Sequence, residues 1–246
     1  MKLFKSTLAL LTCACAAAVC SAAPATVTIT FDNPIHNGSG FDTVSINSPA
    51  GPSNVNAGRF QGTASNLVGV VPSIFVNGIN DVYMYCYDLY QSIGALDVVN
   101  YTINFNGAFA RTLDFLGAVN GVMNAASPSP VDDPYAWLHP VNGAQSAAIQ
   151  LGIWESRYDA SGWDLAAGSF TASGLEGATD NHWNSFKSAI NTYASMDPEK
   201  VMVFESATRQ DMIAGDPPLA VPEPGSLALL GAGLAGLALA RRRKLL

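Results

Sequence analysis

Along the first half of the chain, apolar and polar residues alternate, and in the second half they recur at helical spacing. Thr26–Phe31 (TVTITF) and Phe41–Asn47 (FDTVSIN) alternate residue by residue, the pattern of strands with one buried face. Residues 32–40 between them are rich in Asn, Gly and Ser and read as a loop. Ser48–Asn56, with two prolines, reads as a second loop. Short strands are expected near Gly58–Gln61 and Leu67–Val76. Val82–Leu89 and Val98–Phe105 are β-branched and aromatic, and read as further strands.

After Gly107 the period lengthens. Ala108–Asn124 fits a helix with Phe109, Leu113, Leu116, Val119 and Met123 on one face. Asn142 is placed to cap a helix from Gly143 to Tyr158, with Ala144, Ala147, Ala148, Leu151 and Trp154 inward. Thr179 or Asp180 is placed to cap another, ending near Met196, with Trp183, Phe186, Ile190 and Tyr193 on its face. Val201–Glu205 reads as a final strand. An antiparallel β region, then helices, then a returning strand predict an α+β domain.

Charge distribution separates this domain from the two ends. The chain has 246 residues and a net charge of −7. Between Thr26 and Val221 there are 6 basic and 18 acidic residues. That balance excludes nucleic acid as a partner, because phosphate contacts need clustered cations. The other basic residues sit at the ends. Lys2 and Lys5 precede the apolar run Leu8–Val19, and Ala23-Pro24-Ala25 offers small residues for cleavage, so residues 1–25 read as a secretory signal peptide. Cys20 leaves a lipoprotein reading open as the lesser alternative.

At the other end, Pro222-Glu223-Pro224 breaks any helix, Leu227–Ala240 is 14 residues without a polar side chain, and Arg241, Arg242, Arg243 and Lys244 follow. The basic block predicts a cytoplasmic anchor, with the apolar stretch in the inner membrane as a transmembrane helix and residues 26–221 on the far side. The order of these three parts resembles the PEP-CTERM sorting signal of Gram-negative bacteria. That resemblance implies an exosortase as partner, transient anchoring in the inner membrane, and delivery to the envelope or extracellular matrix, often alongside exopolysaccharide. The expected division is therefore signal peptide 1–25, exported domain 26–221 and sorting segment 222–246.

Three of the four cysteines, Cys13, Cys15 and Cys20, fall in the signal peptide, which leaves Cys86 alone in the exported domain and no internal disulfide. A lone cysteine in an oxidising compartment is buried and inert, paired with another chain, or used chemically. Tyr85-Cys86-Tyr87-Asp88 and Ile149-Gln150-Leu151-Gly152-Ile153-Trp154 resemble the cysteine and glutamine motifs of thioester domains in surface adhesins of Gram-positive bacteria. That resemblance implies an internal thioester between Cys86 and Gln150, able to acylate an amine on a partner. An acyl thioester needs shielding from water, which Tyr85, Tyr87 and Trp154 are placed to give. The competing structural reading makes Cys86 a small buried hydrophobe and Gln150 a solvent-facing helical residue.

Other chemistry is thin. His36, His139 and His182 lack metal-ligand spacing, so neither a metal nor another cofactor is expected. Asp132-Asp133-Pro134 and the Asp32–Asp42 stretch read as solvated turns. Trp154 and Trp183 are expected in the core, leaving Trp137 and Trp163 as candidates for an exposed, sugar-stacking platform. No nucleophile elbow or phosphate loop is present, and no catalytic residue or enzymatic turnover is expected. The function expected is adhesion at the cell surface or in a biofilm matrix, by noncovalent binding to exopolysaccharide or a surface protein; the alternative is covalent capture through Cys86 and Gln150.

Overall fold

The computed structural model describes residues 24–70, 81–128 and 132–215; the expected signal peptide and the sorting segment lie outside them. The first strands follow the alternation of the sequence. β1 (Thr26–Phe31) buries Val27, Ile29 and Phe31. β2 (Phe41–Ser48) alternates exposed and buried residues throughout, with Val44 and Ile46 inward.

The segment expected as a loop at 48–56 is instead a strand, β3 (Gly51–Gly58), paired with β2 in a hairpin whose ends are Ser48 and Gly51. Two features reconcile prolines with a strand. Pro52 lies on the edge of a sheet ordered β3–β2–β7, where no ladder donor is required of it. The exposed face is held by cross-strand side-chain bonds, Thr43 Oγ1 to Asn56 Oδ1 at 3.0 Å and Ser45 Oγ to Asn54 Oδ1 at 2.7 Å.

β4 (Phe60–Val68), β5 (Val82–Cys86) and β6 (Val98–Asn104) follow, then β7 (Thr171–Ser173), β8 (Val201–Glu205) and β9 (Met212–Gly215). Six of them close into a barrel in the order β1–β4–β5–β9–β8–β6, with every pairing antiparallel. Closure satisfies the backbone groups that an open sheet would leave on its edges. β8 was expected as the last strand, but β9 follows it and fills the place between β5 and β8.

Three helices complete an α+β architecture. α1 (Ala110–Ala126) buries Phe115, Leu116 and Val119, while Phe109, expected on the buried face, stands before the helix and is exposed. α2 (Gly143–Tyr158) has the expected bounds and cap: Asn142 Oδ1 accepts from Gln145 N at 2.9 Å. α2 is buried continuously from Gln145 to Ser156, between α1 and α3 on one side and β2, β3 and β5 on the other. Small residues permit this close approach; a Cβ on Gly152 would lie 1.9 Å from Cζ of Phe115.

α3 (Gly177–Ala189) departs from expectation at both ends. Its first turn is capped from a distance: Asp42 Oδ2, on β2, accepts from Glu176 N at 2.9 Å and Thr179 Oγ1 at 2.7 Å. A carboxylate at that end also opposes the helix dipole's positive pole. The helix ends early as the chain turns toward α1, where Met196 N donates to the Leu113 carbonyl at 2.9 Å. Tyr193, expected on its buried face, is exposed as a result.

Candidate functional site

Cys86 ends β5, and Gln150 lies mid-way along α2, 64 residues later. The structure brings them together. Gln150 Oε1 accepts from Cys86 N at 2.9 Å, and Gln150 Nε2 donates to the Cys86 carbonyl at 2.8 Å. The carboxamide thus pairs with the Cys86 backbone as a neighbouring strand would. This is possible because β5 meets β4 and β9 only over Val82–Cys86 and leaves its end to face α2. Gln150 is fully buried rather than solvent-facing, and Cys86 is 2% exposed.

Buried aromatic side chains pack around the pair on its inner side. Tyr85 and Tyr87 are buried on either side of Cys86, each fixed by its phenol. Tyr85 Oη donates to the Trp137 carbonyl at 3.2 Å, and Tyr87 Oη accepts from Phe109 N at 2.8 Å. Burial pushes the Cys86 thiol well above its ordinary range, and the nearby Asp88 carboxylate adds to this. Asp88 itself is raised to about 6, chiefly by burial and then by the neighbouring Asp211. The thiol is therefore protonated at neutral pH and carries its proton into any reaction.

A cavity of about 630 Å³ opens beside the pair, with Cys86 and Trp154 in its wall. His36 lines it too; its Nδ1 lies 3.2 Å from the Arg59 carbonyl, which assigns the proton to Nδ1 and leaves Nε2 as an acceptor. Burial lowers the His36 pKa and keeps the ring neutral.

The remaining candidates separate. Trp154 and Trp183 are in the core, as expected. Trp137 is not an exposed platform: it lies in a 3-10 turn, Ala136–Leu138, fully buried and stacked on Tyr85 at 5.7 Å between centroids. Trp163 is half-buried, stacked on Phe115 and covered by the Arg111 guanidinium. His139 and His182 line a second cavity, away from His36. Asp132 and Asp133 serve their own turn, accepting from Asn124 Nδ2 and Tyr135 N. Among the described residues no group of three or more His, Cys, Asp or Glu is arranged to hold a metal ion.

Two polar residues escaped the sequence reading. Glu155, one turn beyond Gln150 on α2, is 1% exposed, and burial raises its pKa to about 7. Arg59 is buried over the Tyr83 ring and donates to the carbonyls of Leu138 and Asn37. Neither falls in a recognisable motif, and only the fold reveals that they are enclosed.

No curated protein and no solved structure matches the chain. Among the described residues no helix is long and apolar enough to cross a membrane, and the expected anchor at 227–240 lies outside them. A family model, described as the PEP-CTERM protein-sorting motif, matches residues 220–244, a span that takes in Pro222, Glu223 and Pro224 and the Arg241–Lys244 block. The chain thus carries a PEP-CTERM sorting motif, which marks it as an exported protein of the cell envelope processed by an exosortase.

Proposed function

We propose that this exported protein is an adhesin that captures its partner covalently, through an internal thioester between Cys86 and Gln150. The observation that carries this reading is the double hydrogen bond between the Gln150 carboxamide and the Cys86 backbone inside a buried site. Two residues 64 apart are held with the amide carbon beside the residue that bears the thiol.

The chemistry is self-contained. Cys86 Sγ attacks Gln150 Cδ, the C–N bond breaks, and the thiol proton leaves with the amide nitrogen as ammonia. Cys86 N–H, already bonded to Oε1, polarises the carbonyl and stabilises the oxyanion that forms on it. Tyr85, Tyr87 and Trp154 shield the acyl group on its inner side, and the cavity is the route by which an amine reaches it. Internal competitors are scarce: Lys187 and Lys200 are the only lysines of residues 26–221, and neither lines the cavity. Each molecule reacts once, so the protein is a single-use acyl donor rather than a turnover enzyme. A transient hold in the inner membrane by the apolar tail precedes release to the surface.

A second reading is favoured by the same hydrogen bonds. They satisfy both ends of the carboxamide, which is what a purely structural glutamine needs, and adhesion would then be noncovalent. Intact-mass analysis of protein recovered from the host envelope separates the two. The covalent reading expects loss of one ammonia and no titratable thiol, with Cys86→Ala and Gln150→Ala each restoring the unmodified mass. A wild-type mass equal to that of the trimmed sequence, with a free thiol, overturns it in favour of noncovalent binding.

A further inference from the structure

The wall of the cavity beside Cys86 is uncharged. Among the described residues that line it there is no Asp, Glu, Lys or Arg. Its polar groups are hydroxyls and amides, among them those of Ser48, Ser53, Asn56, Gln91 and Gln210, together with the neutral imidazole of His36. Between them lie apolar and aromatic surfaces, among them Ile46, Phe60, Tyr90 and Trp154. Tyr90 is largely exposed, so one aromatic face remains available. The volume, about 630 Å³, is that of a pocket enclosing a whole small molecule, more than one alkylamine arm fills.

The hydroxyls and amides of the wall offer both donors and acceptors, and Trp154 and Tyr90 bring aromatic surface to it. The occupant that fits offers both hydroxyl donors and acceptors, has a ring face for the aromatic surfaces, and carries no charge when bound. A sugar ring has these properties. A lysine ammonium does not, because no carboxylate in the lining offsets its desolvation. The nucleophile must in any case be a neutral amine, and an amine flanked by ring hydroxyls is less basic than an alkylamine.

We propose that the cavity is a carbohydrate subsite that presents the amino group of a hexosamine unit to the Cys86–Gln150 acyl group. The transfer step rests on the thioester reading; the sugar site does not. In that step the sugar nitrogen attacks Gln150 Cδ, the C–S bond breaks, and Cys86 leaves as a thiolate that takes a proton from the attacking amine. The products are an amide joining Gln150 to the sugar and a free Cys86 thiol.

The test has two arms, both on the protein as recovered from the host envelope. In the first, wild-type protein is incubated with glucosamine oligosaccharides or with Nα-acetyl-lysine at equal concentration, and adducts on the Gln150 peptide are followed by mass. The expected result is acylation of the sugar faster by about tenfold or more, in the range pocket complementarity supplies. Equal or faster acylation of the lysine derivative overturns the proposal. In the second arm, Cys86→Ala is titrated with the same oligosaccharides by calorimetry. Saturable binding that is lost in Cys86→Ala/Ser53→Trp, which fills the cavity from an exposed edge strand, supports the subsite. A protein that carries the thioester while Cys86→Ala ignores the sugar overturns this inference alone. An unmodified wild-type mass overturns the transfer step together with the thioester reading, even where the sugar still binds.

Discussion

Two buried polar side chains of α2 solve the same problem differently. In the middle of the helix, facing β5, Gln150 is buried, neutral and bonded through both its oxygen and its nitrogen to Cys86. One turn on, beside α1, Glu155 is equally buried, yet only one of its oxygens has a partner: Oε1 accepts from Asp164 N at 3.0 Å, while Oε2 has none. A fully paired amide rigidifies its surroundings at little cost, whereas a half-paired carboxyl resists ionisation and makes its region depend on pH. The fully paired position is thus the ordered one, and the electrostatic tension sits elsewhere.

The strongest test of this contrast removes the ordered side. Gln150→Leu leaves Cys86 N–H and C=O without partners in a buried site, at a cost of about 3 kcal/mol, and on the thioester reading abolishes ammonia loss. Denaturant melts with intact mass measure both, and an unchanged midpoint would show that the pairing is absent in solution. Next comes the glycine between the two sites. Gly152→Ala drives a methyl into the Phe115 ring and costs about 2–3 kcal/mol. Adding Phe115→Leu should recover part of that loss; failure to recover any would locate the strain elsewhere.

Asn142→Ala, at the start of the same helix, removes the cap on Gln145 N and lowers stability by about 1 kcal/mol, while leaving the mass signature intact. The effect at Glu155 appears only as a dependence on pH. Its pKa is raised from 4.5 to about 7, so its contribution to stability is fully present below 4.5 and is lost as pH rises through about 7. Glu155→Gln should therefore flatten the fall in melting temperature between pH 5 and pH 8, a window set by that shift. A variant whose melting temperature changes with pH as steeply as the wild type's would remove Glu155 as its cause.

How much of this was legible depended on where the determining groups lie. The bounds of α2 follow from Asn142 and the residues just after it, and they hold. The proximity of Cys86 and Gln150 was legible only by resemblance to paired motifs; spacing alone would have left Gln150 on a solvent face. β3 was hidden by Pro52, which an edge position makes harmless. The cap of α3 was sought in Thr179 and Asp180 because local capping is the common solution, but Asp42 supplies it across 134 residues. Trp137 was misjudged because a loop-like sequence says nothing about the tyrosine that stacks on it.

The sequence by itself determined the sorting motif, the capped helix α2 and the alternating strands β1 and β2, because each is written in neighbouring side chains that act at short range. Only the tertiary structure decided that the barrel closes, that β9 lies against Cys86, and that an uncharged cavity opens beside it. Those features arise where segments distant along the chain meet, and partners so far apart leave no periodic or local signal in the residues between them.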